Sequence, residues 1–203
     1  MDRMVRVYAP KEEDTGSEII QLQMDTIPPT NIFGVYLETG KPGEQKEYAH
    51  QNLKQRVTEC KNEGQNVILM GDFNAPLNDT VKPFNMAARR ILEWEETGDI
   101  RILNDKQIPT RVPFRKGDKA NCLDLMMISP GLEDRTSNYK LDVDQEWSPA
   151  RSEPTGQGKG SEMMYTRGKA SDHMAQKATV ILDLVEKGKA GNRAIINYNN
   201  SEG

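Results

Sequence analysis

Cysteine, histidine and aromatic residues are all scarce in this 203-residue chain, which has 2 cysteines, 2 histidines and an aromatic content of 6%. Two isolated cysteines exclude a disulfide framework and a C-x-x-C zinc site. Both are interpreted as small buried hydrophobic residues, which is typical of a reducing compartment. The chain also lacks a signal-peptide core and an apolar run of membrane-spanning length, so we expect a soluble, intracellular protein with no membrane partner.

The balance of charge is slightly acidic, with a formal net charge of −4. This excludes a global basic footprint for nucleic acid but not a hydrolase that uses local basic loops. Hydrophobic content is 35% and mean hydropathy is −0.75, in a chain long enough for one domain with a substantial core. We predict one α/β domain over residues 1–185, followed by a polar C-terminal linker or tail at 186–203.

The most informative stretch is the apolar run at residues 66–70, which is followed by Gly71, Asp72, Phe73 and Asn74. It is too short for a helix and is predicted to be a buried strand with a turn at its end. Ligand and catalytic groups in α/β folds gather outside the carboxyl ends of strands, which makes Asp72 and Asn74 candidate site residues. The alternative is a turn in which both side chains cap their own backbone.

Hydrophobic periodicity predicts the remaining elements. Alternating segments predict strands at 3–8, 19–25, 31–37, 101–104, 137–143 and 174–185, and helical spacing predicts helices at 44–63 and 83–97. Residues 146–169 are predicted to form a long loop.

Two later motifs strengthen the case for a site. Asp124 interrupts an apolar strand at 121–129, and Ser171, Asp172 and His173 lead directly into the last predicted strand. A lone carboxylate inside an apolar run is costly to bury unless it is paired. His173 is one of only 2 histidines and is a suitable partner for Asp124.

The ordered set GDFNA, LDLMMIS and SDH resembles the exonuclease–endonuclease–phosphatase superfamily of metal-dependent phosphodiesterases. Within that superfamily, LND at 103–105 followed by PTR at 109–111 resembles the endonuclease domains of non-LTR retrotransposons. The resemblance covers most of the chain. It implies a deoxyribonuclease I-like α/β two-sheet sandwich with helices on the outside. It also implies Mg²⁺- or Mn²⁺-dependent nicking of DNA to leave a 3′-hydroxyl primer, a reverse transcriptase domain as partner, and a nuclear location.

The resemblance further implies roles for the matching residues. Asp72 would activate water, Asn74 would contact the phosphoryl oxygens, and His173 would donate a proton to one of them. Asp124 would orient the imidazole and favour its charged form, as a nearby carboxylate does. The remaining implied site residues are Tyr36 at the active site, Asp172 as metal ligand, and Thr110, Arg111 and Ser171 on the substrate side.

Three of these assignments have alternatives. Tyr36 is equally well explained as a strand tyrosine in the core with its hydroxyl at the rim. Arg111 belongs to a basic loop that is either a phosphate contact or a solvated surface. Thr110 would bind either a phosphate or the surroundings of Asp124.

The superfamily pattern also contains an Asn-bearing strand and a Glu-bearing strand, and this Glu is the main metal ligand. Neither has a counterpart here, so we expect a fold that is incomplete on its N-terminal side, with an exposed sheet edge. Three explanations remain open: a truncated sequence, a partner chain that supplies the missing strands, or an inactive member that acts as a binding or structural subunit. A phosphatase acting on small molecules shares the motifs and is a further alternative.

Overall fold

Short strands make up most of the fold, and two helices lie between them. The computed structural model describes residues 5–8, 17–38, 43–77, 85–113, 119–143, 151–154, 165–168, 172–185 and 193–197. Its helices are α1 (Gly43–Asn62) and α2 (Met86–Glu96), and a 3₁₀ helix spans Pro130–Arg135. Its strands are β1 (Val5–Tyr8), β2 (Ser17–Met24), β3 (Thr30–Leu37), β4 (Asn66–Asp72), β5 (Arg101–Ile102), β6 (Asp124–Ile128), β7 (Thr136–Leu141), β8 (Arg151–Pro154), β9 (Tyr165–Gly168), β10 (Gln176–Asp183) and β11 (Arg193–Asn197). In the described part of the chain, neither helix is long and apolar enough to cross a membrane.

Six strands form the main sheet, in the order β1-β2-β3-β4-β6-β5. Strands β3 and β4 are parallel, whereas the other neighbours are antiparallel. A parallel pair needs a crossover connection, which α1 supplies. Strands β3 and β4 therefore end at the same edge of the sheet, where Tyr36 and Asp72 are register partners.

The centre of the main sheet is buried on both faces. Val67 and Leu69 of β4 belong to the apolar cluster under the two helices, whereas Ile68 belongs to a smaller cluster on the opposite face. Val180 and Leu182 of β10 complete that second cluster, so a second sheet covers this face. Strands buried on both faces are expected to read as continuous apolar runs, as residues 66–70 do. The predicted α/β two-sheet fold with helices outside is confirmed.

The second sheet has three strands in the order β11-β10-β7, and β8 and β9 form a separate two-stranded sheet. Two of these features differ from the sequence-based prediction. Strands β8 and β9 lie within the predicted loop at 146–169, and β11 lies within the predicted tail at 186–203. The predicted loop is rich in charge, glycine and proline, and the predicted tail is largely polar, so neither suggested a strand. Both Cys60 and Cys122 are buried, as predicted.

A largely apolar groove with a volume of about 840 Å³ separates parts of the two sheets. Aliphatic side chains from both sheets line it, among them Met24, Ile32 and Val180. The groove extends to Asp124 and His173. The groove between the two sheets therefore extends to the candidate site.

Candidate functional site

Tyr36, Asp72 and Asp124 form a row across three neighbouring strands. Tyr36 is the register partner of Asp72, and Asp72 is the register partner of Asp124. Register partners project from the same face of a sheet. Ile68 and Met70 precede Asp72 at two-residue steps and pack in or against the cluster between the sheets, so the row emerges toward the second sheet. Tyr36 is 45% exposed, which excludes the interpretation of a core tyrosine.

The end of β4 requires a glycine. Gly71 has φ +139, and a Cβ at this position would lie 1.9 Å from the carbonyl oxygen of Val35. The backbone N–H of Asn74 donates to Oδ1 of Asp72 at 2.8 Å, and Nδ2 of Asn74 donates to the carbonyl oxygen of Leu37 at 2.6 Å. Of the capping turn considered from the sequence, the part formed by Asp72 is therefore present, whereas the Asn74 side chain binds the backbone of β3. The two bonds fix Asp72 and Asn74 at the strand end.

Asp124 and His173 are paired, as the sequence predicted. Nδ1 of His173 lies 2.9 Å from Oδ2 and 3.0 Å from Oδ1 of Asp124. The hydroxyl of Thr110 donates to Oδ2 of Asp124 at 2.9 Å and accepts from the backbone N–H groups of Leu123 and Asp124, each at 2.9 Å. Thr110 is fully buried, so it lies behind Asp124 rather than on a surface that meets substrate. Of its two predicted contacts, the structure contains the one with Asp124.

The electrostatics of the site favour the charged form of the His173 imidazole and disfavour the charged form of the Asp72 carboxylate. The hydrogen bond that Nδ1 of His173 donates to Asp124 raises the pKa of His173, partial burial opposes this, and the negative charges of Asp124, Asp72 and Asp172 add to the increase. Burial raises the pKa of Asp72, the N–H of Asn74 opposes the shift, and the charge of Asp124 reinforces it. A proton donor and a proton acceptor thus lie side by side, which is the requirement for general acid–base chemistry.

Arg111 and Asp172, expected to contact a phosphate and a metal respectively, are paired with each other. Nε of Arg111 donates to Oδ2 of Asp172 at 2.7 Å. Oδ1 of Asp172 is 3.9 Å from Nε2 of His173. Both carboxylate oxygens thus face cationic side chains rather than Asp72. Ser171, predicted on the substrate side, lies outside the described residues.

The side chains best placed to hold a divalent cation are those of Asp72, Asp124 and His173, whose ligand atoms lie within 4.8 Å of one another. This set differs from the predicted ligand Asp172. Carboxylate oxygens are the ligands that Mg²⁺ and Mn²⁺ prefer. Because the pKa of Asp72 is raised, its ionised form is disfavoured in the folded chain, and a cation would relieve that cost. The two carboxylates of this set therefore fit a hard divalent metal, whereas a protonated His173 has no lone pair to offer one.

A polar network that sequence reasoning missed holds the two sheets together at Asp124. Nδ2 of Asn104 and Nε2 of Gln176 both donate to the carbonyl oxygen of Asp124 at 3.0 Å. Oδ1 of Asn104 accepts from the backbone N–H of Met126 at 2.8 Å, and Oε1 of Gln176 accepts from the hydroxyl of Tyr139 at 3.0 Å. Two signals were available: Asn104 lies in the LND motif at 103–105, and Gln176 is a polar residue three places after His173 at the start of an apolar strand.

The endonuclease–reverse transcriptase family model matches residues 30–149, more than half of the chain. No curated protein sequence matches this chain.

Several solved structures are similar in fold. An AP endonuclease from Archaeoglobus fulgidus has a TM-score of 0.56 and 18% identity, over 88% of this chain and 72% of that one. A 3′-5′ exonuclease from Neisseria meningitidis has a TM-score of 0.56 and 14% identity, over 88% and 71%. The endonuclease domain of TRAS1, a telomere-specific non-LTR retrotransposon, has a TM-score of 0.49 and 17% identity, over 71% of this chain. This chain spans 64% of the length of the TRAS1 domain.

Proposed function

This chain belongs to the endonuclease–reverse transcriptase family, and we propose that it is a divalent-metal-dependent DNA endonuclease that nicks one strand and leaves a 3′-hydroxyl end. The observation that carries the proposal is the Asp124–His173 contact of 2.9 Å beside Asp72. These groups come from positions 72, 124 and 173 of the chain and converge within 4.8 Å. A purely structural turn after β4 would require only Asp72 and Asn74.

The residues of the site can each take a defined part in phosphodiester hydrolysis. Asp72 orients the attacking water and accepts its proton as the water oxygen bonds to phosphorus. His173, charged through its bond to Asp124, donates a hydrogen bond or proton to a phosphoryl oxygen on which negative charge develops. The bond between phosphorus and the 3′ oxygen breaks, and the leaving 3′ oxygen takes a proton from solvent, which gives a 3′-hydroxyl and a 5′-phosphate. Asp124 holds the imidazole in one orientation throughout.

We propose Mg²⁺, or Mn²⁺ in its place, as the metal, held by the carboxylates of Asp72 and Asp124. When bound, the cation supplies positive charge to the phosphoryl oxygens and lowers the pKa of a bound water. The half-buried setting of the carboxylates strengthens such charge interactions relative to bulk water.

Asn74 and Tyr36 complete the proposed site. The Nδ2 group of Asn74 has two N–H bonds, one of which is directed at Leu37. The second can serve a phosphoryl oxygen, so the side chain can fix the turn and meet substrate together. Tyr36 is exposed next to Asp72, where its ring and hydroxyl are accessible to a DNA strand.

The family description supports two further proposals about partners. We propose that DNA is the substrate and that the nicked end serves a reverse transcriptase domain as primer. A nuclear site of action would follow from that role.

Nicking of supercoiled plasmid tests the proposal. We expect the full chain to convert supercoiled plasmid to open circles with Mg²⁺ and to be inactive with EDTA. Asp72→Asn and His173→Gln should each lower the rate by about 10²- to 10⁴-fold, the usual contribution of a positioned acid or base. Arg135→Gln is the matched control, because Arg135 pairs with Asp183 away from the site. Because the proposed nick ends in a 3′-hydroxyl, a DNA polymerase should extend it without prior removal of a 3′-phosphate.

Two outcomes would overturn the proposal. Equal nicking by the wild type, Asp72→Asn and His173→Gln would assign the activity to a contaminant and leave the inactive binding subunit as the better description. Release of inorganic phosphate from a 3′-phosphorylated oligonucleotide, with the plasmid left intact, would identify a phosphatase.

A further inference from the structure

Arg111 and Asp172 form an ion pair at the mouth of the site. The Nε–Oδ2 distance is 2.7 Å, and the two side chains are 34% and 25% exposed. Neither group is fully solvated, so the pair is less screened than one on an open surface. A charge-assisted bond of this length is among the stronger hydrogen bonds in proteins.

The backbone around Arg111 is held on both sides. Residue 111 bridges to Asn121 on one side and to His173 on the other, both antiparallel. The N–H of Val112 donates to the carbonyl oxygen of Asp172 at 2.7 Å, and the N–H of Met174 donates to that of Thr110, also at 2.7 Å. Residues 110–112 therefore form the support on which the segment carrying His173 lies.

The side-chain pair reinforces this support next to the imidazole. The Asp172 carboxylate lies between the guanidinium, at 2.7 Å, and Nε2 of His173, at 3.9 Å. Asp124 binds the opposite edge of the same ring through Nδ1. The ring thus has a carboxylate near each of its two nitrogens, and Arg111 fixes where one of them lies. Arg111 is also near enough to oppose the increase in the pKa of Asp72.

We propose that Arg111 is a positioning residue, which anchors Asp172 and thereby holds His173 in line with Asp124, rather than a phosphate-binding residue. By the same geometry Asp172 acts through this pair and not as a metal ligand. The inference rests on the proposed nuclease function for its kinetic test, and a second readout below is independent of activity.

The three possible roles give different kinetic results. A positioning pair lowers kcat and leaves KM nearly unchanged, because ground-state binding of DNA is untouched. A phosphate contact weakens DNA binding uniformly and reduces the slope of log K against log salt concentration by about 1. A metal ligand raises the Mg²⁺ concentration needed for half-maximal rate.

The experiment is a double-mutant cycle on the full chain with Arg111→Gln, Asp172→Asn and the double variant. We expect each single variant to lower kcat on the order of 10-fold, and the double variant to lose no more than either one, since residues in one pair are non-additive. KM, the salt slope of DNA binding measured by fluorescence anisotropy, and half-saturation by Mg²⁺ should stay as in the wild type. Arg111→Lys should recover most of the rate, because one N–H bond carries the contact.

The control is again Arg135→Gln, which removes a guanidinium from an ion pair of 2.9 Å with Asp183 at the far end of β10. It should leave kcat and KM unchanged. A lower salt slope in Arg111→Gln, a raised Mg²⁺ requirement confined to Asp172→Asn, or additive losses in the double variant would each overturn the inference.

Ring NMR signals separate this inference from the proposed function. The chain has 2 histidines, so His50 provides an internal reference for the ring signals of His173 at one fixed pH. Arg111→Gln should shift and broaden the His173 signals while those of His50 stay in place. If the ring moves in a chain that never nicks DNA, the positioning role stands and the nuclease proposal fails. Unmoved signals together with full nicking activity would overturn the positioning role alone.

Discussion

Asp72 and Asp124 are direct register partners on the antiparallel neighbours β4 and β6, so two carboxylates face each other at the end of the main sheet. Like charges placed opposite each other in a sheet are destabilising. Burial raises the pKa of Asp72, and the charge of Asp124 adds to the shift. The folded chain without a cation therefore bears an electrostatic cost at the candidate site.

We accordingly expect Asp72→Asn to stabilise the metal-free protein while it lowers the rate of nicking. The amide oxygen can still accept from Asn74, but the disfavoured charge is gone. With EDTA the rise in Tm should be on the order of 2 °C, and Mg²⁺ should raise the Tm of the wild type more than that of the variant. Asp124→Asn is the contrasting control: it should lower Tm because it weakens the bond to His173. A lower Tm for Asp72→Asn in EDTA would contradict this account.

Thr110→Val should destabilise the buried support of Asp124. The substitution keeps the shape of the side chain but leaves the buried N–H groups of Leu123 and Asp124 without their acceptor. Buried unsatisfied groups of this kind cost roughly 1–3 kcal/mol each, so for the two groups we expect a loss of about 2–6 kcal/mol in the free energy of unfolding. Thr110→Ser keeps the hydroxyl and should lose only about 1 kcal/mol. Urea denaturation of both variants makes the comparison, and equal losses would show that the hydroxyl is unimportant.

Gly71→Ala should be among the most destabilising single changes in the chain. Its Cβ would lie 1.9 Å from the carbonyl oxygen of Val35, which belongs to the β3 backbone and cannot rotate away. We expect a loss above about 4 kcal/mol, or failure to fold. Gly64→Ala is the matched control, because Gly64 also has positive φ, +69, with no atom within 4 Å of its added Cβ. It should cost only about 1–2 kcal/mol of backbone strain. Soluble yield and urea denaturation distinguish the two.

The raised pKa of His173 makes stability depend on pH in a specific direction. A histidine whose folded pKa exceeds its usual 6.5 contributes stability that is fully present below that pH and is lost as the pH rises through the folded value. We therefore expect the Tm in EDTA to decline above about pH 6.5, and this decline to be absent in His173→Gln.

His50 supplies the opposite control. Burial lowers its pKa, so its contribution is present above the unfolded value and is lost as the pH falls through the folded one. His50→Gln should therefore reduce acid sensitivity and leave the decline at high pH in place. An unchanged profile in His173→Gln would remove the evidence for a charged imidazole.

Local patterns were sufficient for the strands and helices that form the core. The run at 66–70, the lone Asp124 and the spacing in α1 all reflect burial against neighbours, which leaves a record in the order of apolar and polar residues. Pairing of Asp124 with His173 was predictable because burial of a lone carboxylate demands a partner and few histidines were available.

The order of apolar and polar residues carries no signal for long-range polar partners. The sequence predicts a phosphate contact for Arg111 and a metal ligand at Asp172, because nothing in the order of residues links two positions that are 61 apart. The bond from Gln176 to the Asp124 carbonyl likewise exists only once β10 lies over β6. Strands β8, β9 and β11 differ from the prediction for another reason. Each pairs with a strand next to it in the chain, but charged, polar and turn-forming residues around them favour loops.

His173 immediately precedes the second sheet, whereas Asp72 and Asp124 belong to the first. The candidate site is therefore created by the contact between two layers and is present in neither layer alone. The small cluster of Ile68, Ile128, Leu132, Val180 and Leu182 lies at that contact. A nascent or loosened chain whose layers have not met would lack the assembled site, so any activity of these residues would begin only once the second sheet had packed on the first.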